Sequence, residues 1–473
     1  MPDMKTVAIA LDLGTTSIKA GCLGSGGGLE SVLARPVPEV SENRGRYESD
    51  ASDYFEAADA LLDRCLVTVN APPALGLSCQ RSSFLIWQKA NGRPVSPLIS
   101  WQDNRGINAC RALQDKDPLI RKITGLRLTP YYFGPKLFSL LRERQDWRSG
   151  LVSGKLLLGT LDSYCIWRWS AGKAHQTDAS MAARTLLMAL DSRKWSKTLC
   201  ELFRVPQQIL PDISASCGLS VPLRDGLTLT SSVADQSAAL YAGVSEDETE
   251  ALVNLGTGGF VVRYLPARDA LMNEGYLKTL VYENTGDDPR VAAEGTLNSI
   301  ARAIAPYPYR QCTVDDLGAM EQIYCICEPS GLGAPYFRGD LGLVFSAPVD
   351  NLAPRQIASL LLESVIFRVA RILEDFNRCR ELRRVYLSGG LSALPCLYQG
   401  IALCCAFEVQ RLHQPDSSLL GAALLAAGFP PAFGRTSEIV QTTDDPTHLR
   451  EKYARWKNWL DDLLAADFPE RDT

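Results

Sequence analysis

A carboxylate, a glycine and three hydroxyls follow one another in residues 12–17, at the end of an apolar run near the start of the chain. Asp12 ends the run, Gly14 allows a tight backbone turn, and Lys19 lies just beyond the hydroxyls. Backbone N–H groups and hydroxyls in such a turn can hold phosphate oxygens, and the carboxylate can hold Mg²⁺ through water. The same residues also fit an ordinary hairpin whose polar side chains satisfy their own backbone. On local grounds, both interpretations stand.

A second turn of similar composition occupies residues 254–259, which read Asn-Leu-Gly-Thr-Gly-Gly. It repeats the glycines and one hydroxyl without the carboxylate, so a phosphate contact and a plain hairpin again both remain. Neither turn matches the Gly-x-x-x-x-Gly-Lys phosphate loop or the dinucleotide Gly-x-Gly-x-x-Gly pattern. A nucleotide site in this chain would therefore have to be built from other elements.

Asp235 is the candidate for acid–base chemistry. It follows the β-prone run 227–233 and precedes a helix of small residues, which places a carboxylate at a strand end beside a helix N-terminus. Such a carboxylate can accept the proton of a substrate hydroxyl as that hydroxyl attacks a γ-phosphoryl group. It can also cap the helix, and the local sequence by itself favours the cap.

Two glycines after the predicted strand 384–387 form the last candidate. They are followed downstream by the small-residue helix 421–425. Without side chains, Gly389 and Gly390 could admit a flat adenine and its ribose against the backbone. The alternative is that the small residues serve only close packing of a helix on a sheet.

The elements that must position these residues show a strand–turn–strand pattern twice. Periodicity predicts strands at 7–11, 18–23, 29–37, 74–79, 84–88, 251–255 and 260–264, and helices at 52–69, 354–379 and 446–466. A strand–helix–strand order requires a crossover and hence a mixed α/β sheet. The repetition suggests two related domains, which the polar run 245–248 divides into 1–245 and 246–473.

Composition limits the classes of function. The 473 residues are 46% hydrophobic and 22% charged, with a net charge of −5, which favours neither nucleic acid nor an anionic membrane as a partner. No apolar stretch reaches the roughly 20 residues that span a bilayer. The three histidines argue against a metal cluster and against Ser-His catalysis, and the 14 cysteines are expected to be buried thiols in a cytoplasm.

In this order, the segments resemble the FGGY carbohydrate kinases, and within them the glycerol kinase branch. The most telling stretches are 75–82, 92–105, 124–131 and 177–180. The family fold is two actin-like (ribonuclease-H-like) ATPase domains of the α/β class with a cleft between them, and the resemblance implies the same architecture here.

The resemblance also implies a role for each matching residue. Asp235 would be the general base, and Asp12 would help to hold Mg²⁺. The residues expected at the nucleotide are Thr15, Thr16, Ser17, Lys19 and Thr257 at the phosphates and Gly390 at the adenosine. The residues expected at the acceptor are Gln80, Arg81, Ser82, Trp101, Tyr131, Asp235 and Gln236, which together offer an aromatic wall and directional polar groups.

The expected activity is ATP- and Mg²⁺-dependent phosphorylation of a hydroxyl of a small polyol or sugar, with a glycerol-like polyol as the first choice. A ketopentose such as xylulose or ribulose is the alternative, because residues 80–82 match neither subgroup. Ser82 stands where glycerol kinases carry a glutamate, and ketose kinases show Gln-Met-His where this chain has Gln-Arg-Ser. An actin-like nucleotide-binding regulator without a sugar substrate is the competing class. The resemblance further implies a cytoplasmic protein and allows a homodimer.

Overall fold

The computed structural model describes residues 6–67, 69, 74–266, 275–414, 416–442 and 447–466. The strands are β1 Thr6–Leu13, β2 Ser17–Gly24, β3 Leu29–Pro36, β4 Ser41–Asn43, β5 Arg46–Ser49, β6 Ala74–Cys79, β7 Phe84–Gln88, β8 Leu98–Ile99, β9 Leu156–Thr160, β10 Gln176–Asp178, β11 Met188–Ala189, β12 Lys194–Trp195, β13 Asp212–Ser214, β14 Cys217–Pro222, β15 Thr228–Ala234, β16 Glu250–Leu255, β17 Gly259–Leu265, β18 Leu277–Tyr282, β19 Arg290–Leu297, β20 Cys325–Cys327, β21 Leu343–Phe345, β22 Arg384–Ser388, β23 Glu408–Leu412 and β24 Ser437–Ile439. The helices are α1 Ala51–Leu66, α2 Ile107–Ala112, α3 Asp117–Thr124, α4 Phe133–Glu143, α5 Gln145–Val152, α6 Leu161–Trp169, α7 Ala179–Ala183, α8 Lys197–Leu202, α9 Asp235–Gly243, α10 Ile300–Ile304, α11 Pro354–Cys379, α12 Pro395–Cys404, α13 Ser417–Ala427 and α14 Thr447–Ala465.

The predicted strands and helices are present, with ends that move by a few residues. The predicted helix 52–69 is α1, which ends at Leu66, and the predicted helix 446–466 is α14. Residue 446 lies outside the described residues. Periodicity identifies the elements because each buries one face or one stripe, whereas helix ends depend on local capping.

The chain divides into two units. Unit 1 contains residues 1–242, 278–291 and 416–434, and unit 2 contains the remaining residues. The first break lies three residues before the predicted boundary at 245/246, and the two later segments of unit 1 are not part of that prediction. The second of these segments carries α13, whose sequence is apolar all round, so periodicity gave no indication of which sheet it covers.

Unit 1 is built on a six-stranded sheet in the order β14-β15-β6-β1-β2-β3. Strands β15, β6 and β1 are parallel, and the carboxyl-terminal residues Ala234 and Leu13 both pair with Cys79. Because parallel strands end at the same edge of a sheet, the residues just past these positions converge there. This edge brings the first turn and Asp235 together.

Alternation along β1 divides the core of unit 1 into two layers. Ile9 and Leu11 pack with residues of α1 and α6 on one face, while Ala8 and Ala10 pack with α13 on the other. The second face carries small residues, and a Cβ on Gly76 of β6 would lie 2.1 Å from the backbone oxygen of Ala422 in α13. The helix therefore approaches the sheet closely, as the small-residue pattern indicates.

Unit 2 repeats this topology. Its strands follow one another in the order β19-β17-β16-β22-β23-β24, with β16, β22 and β23 parallel and β17 antiparallel to β16. In both units, a hairpin is followed by two parallel strands and an antiparallel edge strand. The repeated strand–turn–strand pattern in the sequence thus corresponds to two related α/β units.

Two expectations from composition concern the whole chain. All 14 cysteines are free thiols and 12 of them are buried, as expected. Across the described ranges, no helix is both long enough and apolar enough to cross a membrane.

Candidate functional site

The first turn places a half-buried carboxylate at the common strand edge of unit 1. The hydroxyl of Ser78, on the neighbouring strand β6, donates to Oδ1 of Asp12 at 2.8 Å. Burial raises the pKa of Asp12 to about 7, and the nearby carboxylates of Asp235 and Asp416 add to the rise, against Ser78 and Lys19. The carboxylate is thus held without enough positive charge around it, which suits a site for a cation.

Magnesium fits this donor set. Within the described residues no group of three or more His, Cys, Asp or Glu side chains could hold a metal ion. Mg²⁺ is commonly bound by one or two carboxylates together with substrate phosphates and water, rather than by a cage of protein ligands. Asp12 alone can therefore serve, with Ser78 fixing the carboxylate through Oδ1.

Hydrogen bonds join the first turn to the predicted acceptor residues. The indole Nε1 of Trp101 donates to the hydroxyl of Thr15 at 2.9 Å, and that hydroxyl donates to Oε1 of Gln80 at 3.1 Å. Gln80 also donates to the carbonyl of Gly14 at 3.4 Å, and the hydroxyl of Tyr54 donates to the same carbonyl at 2.7 Å. Thr15 and Gln80 therefore shape the turn itself, and their contacts with ligand stay predictions.

The remaining residues of this turn differ in what surrounds them. Thr16 is exposed and its carbonyl accepts from the backbone of Val37 at 3.3 Å, while Ser17 begins β2. Lys19 forms an ion pair with Asp416 at 2.8 Å, immediately before the first residue of α13. The pairing of Lys19 had no signal in the sequence, because the two residues are 397 positions apart.

Asp235 lies at the same edge, beside the predicted acceptor residue Arg81. Its Oδ1 lies 3.7 Å from Nε of Arg81 and accepts from the backbone N–H of Gln236 at 2.8 Å. The side chain of Asp235 is about one quarter exposed, so a substrate can reach it. Arg81 and the N–H of Gln236 thus orient the carboxylate. A carboxylate oriented in this way can hold a hydroxyl and take its proton.

A buried serine supports the backbone just before Asp235. The hydroxyl of Ser180 accepts from the N–H of Ala234 at 2.8 Å. Asp178 holds Ser180 in place, since it caps α7 by accepting from the N–H groups of Ser180 and Met181 at 2.8 and 2.9 Å. It also accepts from Ser216 at 2.7 Å. The stretch 177–180, which carries the family resemblance, thus lies behind the candidate base.

We expect Ser180→Ala to lower turnover by about tenfold while the fold persists. The change leaves the N–H of Ala234 without its acceptor, so Asp235 is held less firmly, and small displacements of a reacting group are costly. Ser231→Ala is the matched control. Ser231 is a buried serine of β15, the strand that ends at Ala234, and its hydroxyl donates to the carbonyl of Ala422. Equal turnover in the two variants, measured beside their melting temperatures, would contradict this role.

The predicted acceptor residues Ser82 and Tyr131 have opposite environments. Ser82 is buried at a positive φ of 64°, and its hydroxyl donates to the carbonyl of Arg184 at 2.8 Å. Tyr131 is 40% exposed, with its ring centroid 6.2 Å from that of Trp101. The two aromatic rings lie near each other, and their role as a wall for the acceptor stays a prediction, whereas Ser82 directs its hydroxyl proton to the backbone.

In unit 2, the second turn and the glycine pair share one strand edge. Asn254 of β16 pairs with Ser388 of β22, which brings the turn beside Gly389 and Gly390. Thr257 and Gly390 are exposed. Gly389 has a φ of 87°, and a Cβ there would lie 2.4 Å from Oδ1 of Asn254. The edge is open at both predicted nucleotide residues, whose roles stay predictions.

Sequence reasoning missed several residues that build the site. Ser78, Ser180, Asp416 and Lys136 hold the predicted residues or lie beside them. A polar residue within an apolar run was the available signal, as for Ser78 in β6 and Lys136 in α4. The signal shows that such a residue has a partner, and only the structure identifies the partner.

Comparisons with known proteins identify the family and the fold of this chain. The model of the FGGY family of carbohydrate kinases matches residues 7–222 with its N-terminal domain and residues 251–428 with its C-terminal domain. The glycerol kinase of Shewanella sp. (strain MR-4) is 30% identical over 454 residues, which cover 89% of this chain and 90% of that protein. The glycerol kinase of Plasmodium falciparum, solved with ADP, has a TM-score of 0.86 at 20% identity and covers 98% of this chain and 99% of its own. A xylulose kinase of Lactobacillus acidophilus has a TM-score of 0.82 at 16% identity, with 98% and 99% covered.

Proposed function

Because this chain belongs to the FGGY family of carbohydrate kinases, we propose that it transfers the γ-phosphoryl group of ATP to a hydroxyl of a small polyol or sugar. The observation that carries the proposal is the pair of Asp235 and Arg81 at the strand edge that also holds Asp12. A proton acceptor and a carboxylate suited to Mg²⁺ converge there. This is the minimum set for phosphoryl transfer to an alcohol.

Asp235 acts as the general base in this proposal. Arg81 and the N–H of Gln236 keep its carboxylate oriented, and the acceptor hydroxyl donates its hydrogen bond to that carboxylate. As the hydroxyl oxygen attacks the γ-phosphorus in line with the leaving β-phosphate oxygen, Asp235 takes the proton. A bound Mg²⁺ at Asp12 would neutralise charge on the phosphates.

The remaining acceptor residues supply shape. Trp101 and Tyr131 offer a partly exposed aromatic surface for the carbon chain of the acceptor. Trp101 is fixed by its bond to Thr15, so the acceptor wall and the phosphate turn are positioned together. Such coupling helps to hold a hydroxyl and a phosphate in a productive geometry, which contributes much of the catalysis in phosphoryl transfer.

A glycerol-like polyol is the first candidate acceptor, because relatives named glycerol kinase match nearly the whole chain. A ketopentose is the second candidate, and the specific observation that favours it is at Ser82. Its hydroxyl is directed to the carbonyl of Arg184, so that position contributes no carboxylate to the acceptor pocket. A serine is also shorter than a glutamate, so it leaves room there for a longer acceptor.

A coupled ADP-release assay with Mg-ATP tests the proposal. Glycerol, erythritol, ribitol, xylitol, xylulose and ribulose would be added one at a time. We expect at least one compound to stimulate ADP release well above the rate without acceptor. ATP hydrolysis that no acceptor accelerates would overturn the kinase proposal and favour a nucleotide-binding regulator.

A further inference from the structure

Lys136 is a fully buried lysine in the first turn of α4, among the apolar residues that pack this helix. Its ammonium lies 5.9 Å from the ring centroid of Phe84 and is removed from solvent. Burial lowers the pKa of Lys136 to about 7, with Arg105 acting in the same direction and Asp103 opposing it. Burying an amine is unfavourable unless its N–H groups have acceptors, so the position of those acceptors matters.

The hydrogen-bond acceptors of Lys136 are two backbone carbonyls from separate segments. Nζ donates to the carbonyl of Ser82 at 2.9 Å and to the carbonyl of Ser100 at 2.8 Å. Ser82 directly follows Arg81, and Ser100 directly precedes Trp101. One ammonium group thus joins the two pieces of backbone that carry the proposed polar and aromatic contacts for the acceptor.

These two segments need such support. Ser82 has a φ of 64°, which is unfavourable for a residue with a side chain, so the surroundings must hold it there. A second link exists, because the N–H of Trp101 donates to the hydroxyl of Ser83 at 2.9 Å. The Ser83 link holds the N–H of the peptide unit between Ser100 and Trp101, whereas Lys136 holds the carbonyl of that unit together with the carbonyl of Ser82.

We propose that Lys136 is a positioning residue for the acceptor site, which sets the spacing between Arg81 and Trp101 by bridging the carbonyls of Ser82 and Ser100. The inference rests on the proposed kinase function where acceptor binding is concerned. The bridge itself does not depend on that function. Lys136 is fully buried and donates to backbone carbonyls, so it acts on the binding of the phosphoryl acceptor through the two residues that it positions.

A matched pair of variants tests the kinetic part. Lys136→Met removes the ammonium with little change in volume, and Lys452→Met does the same to another fully buried lysine, which pairs with Glu363 in unit 2. We expect Lys136→Met to raise the KM for the acceptor by about tenfold or more, with kcat at saturation and the KM for ATP within about threefold of wild type. Lys452→Met should leave the acceptor KM unchanged. Equal acceptor KM values in the two variants, or a fall confined to kcat in Lys136→Met, would overturn the proposal.

A spectroscopic experiment tests the bridge without any assumption about activity. The eight tryptophans would be labelled with 5-fluorotryptophan, and the ¹⁹F resonance of Trp101 would be assigned with Trp101→Phe. We expect this resonance to shift in Lys136→Met and to remain in place in Lys452→Met. An unmoved Trp101 resonance in Lys136→Met would contradict the bridge. If no phosphoryl acceptor stimulated ADP release by the wild-type protein, the kinase proposal would fail. The Trp101 resonance would still decide whether Lys136 has the positioning role.

Lys136→Gln covers the case in which the methionine variant does not fold. The glutamine retains an N–H donor, one atom shorter than the ammonium, and carries no charge. We expect the Trp101 resonance to shift by less than it would after complete loss of the bridge. The KM for the phosphoryl acceptor should likewise rise by less. Lys452→Gln serves as its control. Behaviour of Lys136→Gln identical to wild type in both measurements would count against the proposal.

Discussion

Asp235→Asn is expected to lower acceptor-dependent turnover by about 10²–10⁴-fold, the range that general-base catalysis typically contributes. The amide keeps the size of the side chain and can still accept from the N–H of Gln236, so the fold should be retained. It cannot take a proton from the acceptor hydroxyl. Because the change acts on the chemical step, the loss should appear in kcat, with the KM for ATP close to that of wild type.

Asp212→Asn is the matched control for this prediction, since Asp212 is an exposed aspartate of unit 1 on the short strand β13. Steady-state rates at saturating Mg-ATP and acceptor would be compared for the three proteins, and thermal melting would confirm that each is folded. Turnover of Asp235→Asn within a few-fold of wild type would remove Asp235 from the role of base. A loss of turnover that tracked a lower melting temperature would point to a structural role instead.

The second large effect concerns stability and lies in unit 2. Glu328 and Arg368 are both about 1% exposed and form an ion pair with Nε to Oε1 at 2.6 Å. Glu328 also accepts from the N–H groups of Asn298 and Gly333, and Arg368 donates to the carbonyl of Ala334. The pair therefore ties together the loop 328–334, the end of β19 and the long helix α11.

Glu328→Gln should reduce the free energy of unfolding by about 3–5 kcal/mol, because it leaves the charge of Arg368 buried without its counter-charge. Glu438→Gln, which breaks the partly exposed ion pair with Arg411 between the antiparallel strands β23 and β24, should change it by less than about 1 kcal/mol. Urea unfolding of the variants measures both values. Adding Arg368→Met to Glu328→Gln should restore part of the loss, and strict additivity of the two changes would contradict the account.

The sequence was sufficient to predict the strands and helices that carry the site. The runs that became β1, β6 and β15 are rich in β-prone or apolar residues, so these strands could be predicted to within two residues at each end. The strand–helix–strand order predicts only a mixed α/β sheet. That Asp12 and Asp235 lie at one edge follows from the parallel pairing of β1, β6 and β15 in the folded chain.

Long-range pairing was not accessible in the same way. Lys19 was predicted to touch phosphates, and the structure shows it paired with Asp416 in a segment that returns to unit 1 from far along the chain. Ser82 was predicted to face the acceptor, and its hydroxyl donates to a backbone carbonyl more than 100 residues away. Such partners depend on tertiary packing, which single-sequence patterns do not encode.

Local chemistry could not decide the role of Asp235 either. A carboxylate at the first turn of a helix satisfies the same rules whether it caps the helix or takes a proton. Two observations favour the base: the position of Arg81 and the support that Ser180 gives to the preceding residue. Both are contacts between segments distant in sequence, so they become visible only in the folded chain.

The fate of the γ-phosphoryl group is the most direct test of the central claim. The wild-type protein would be incubated with γ-labelled Mg-ATP and the best acceptor from the screen, and the products would be separated and counted. We expect the label to appear in a phosphate ester of the acceptor in the same amount as ADP, with little free phosphate. Release of the label as inorganic phosphate, in equal amounts with and without acceptor, would contradict it and identify an ATPase.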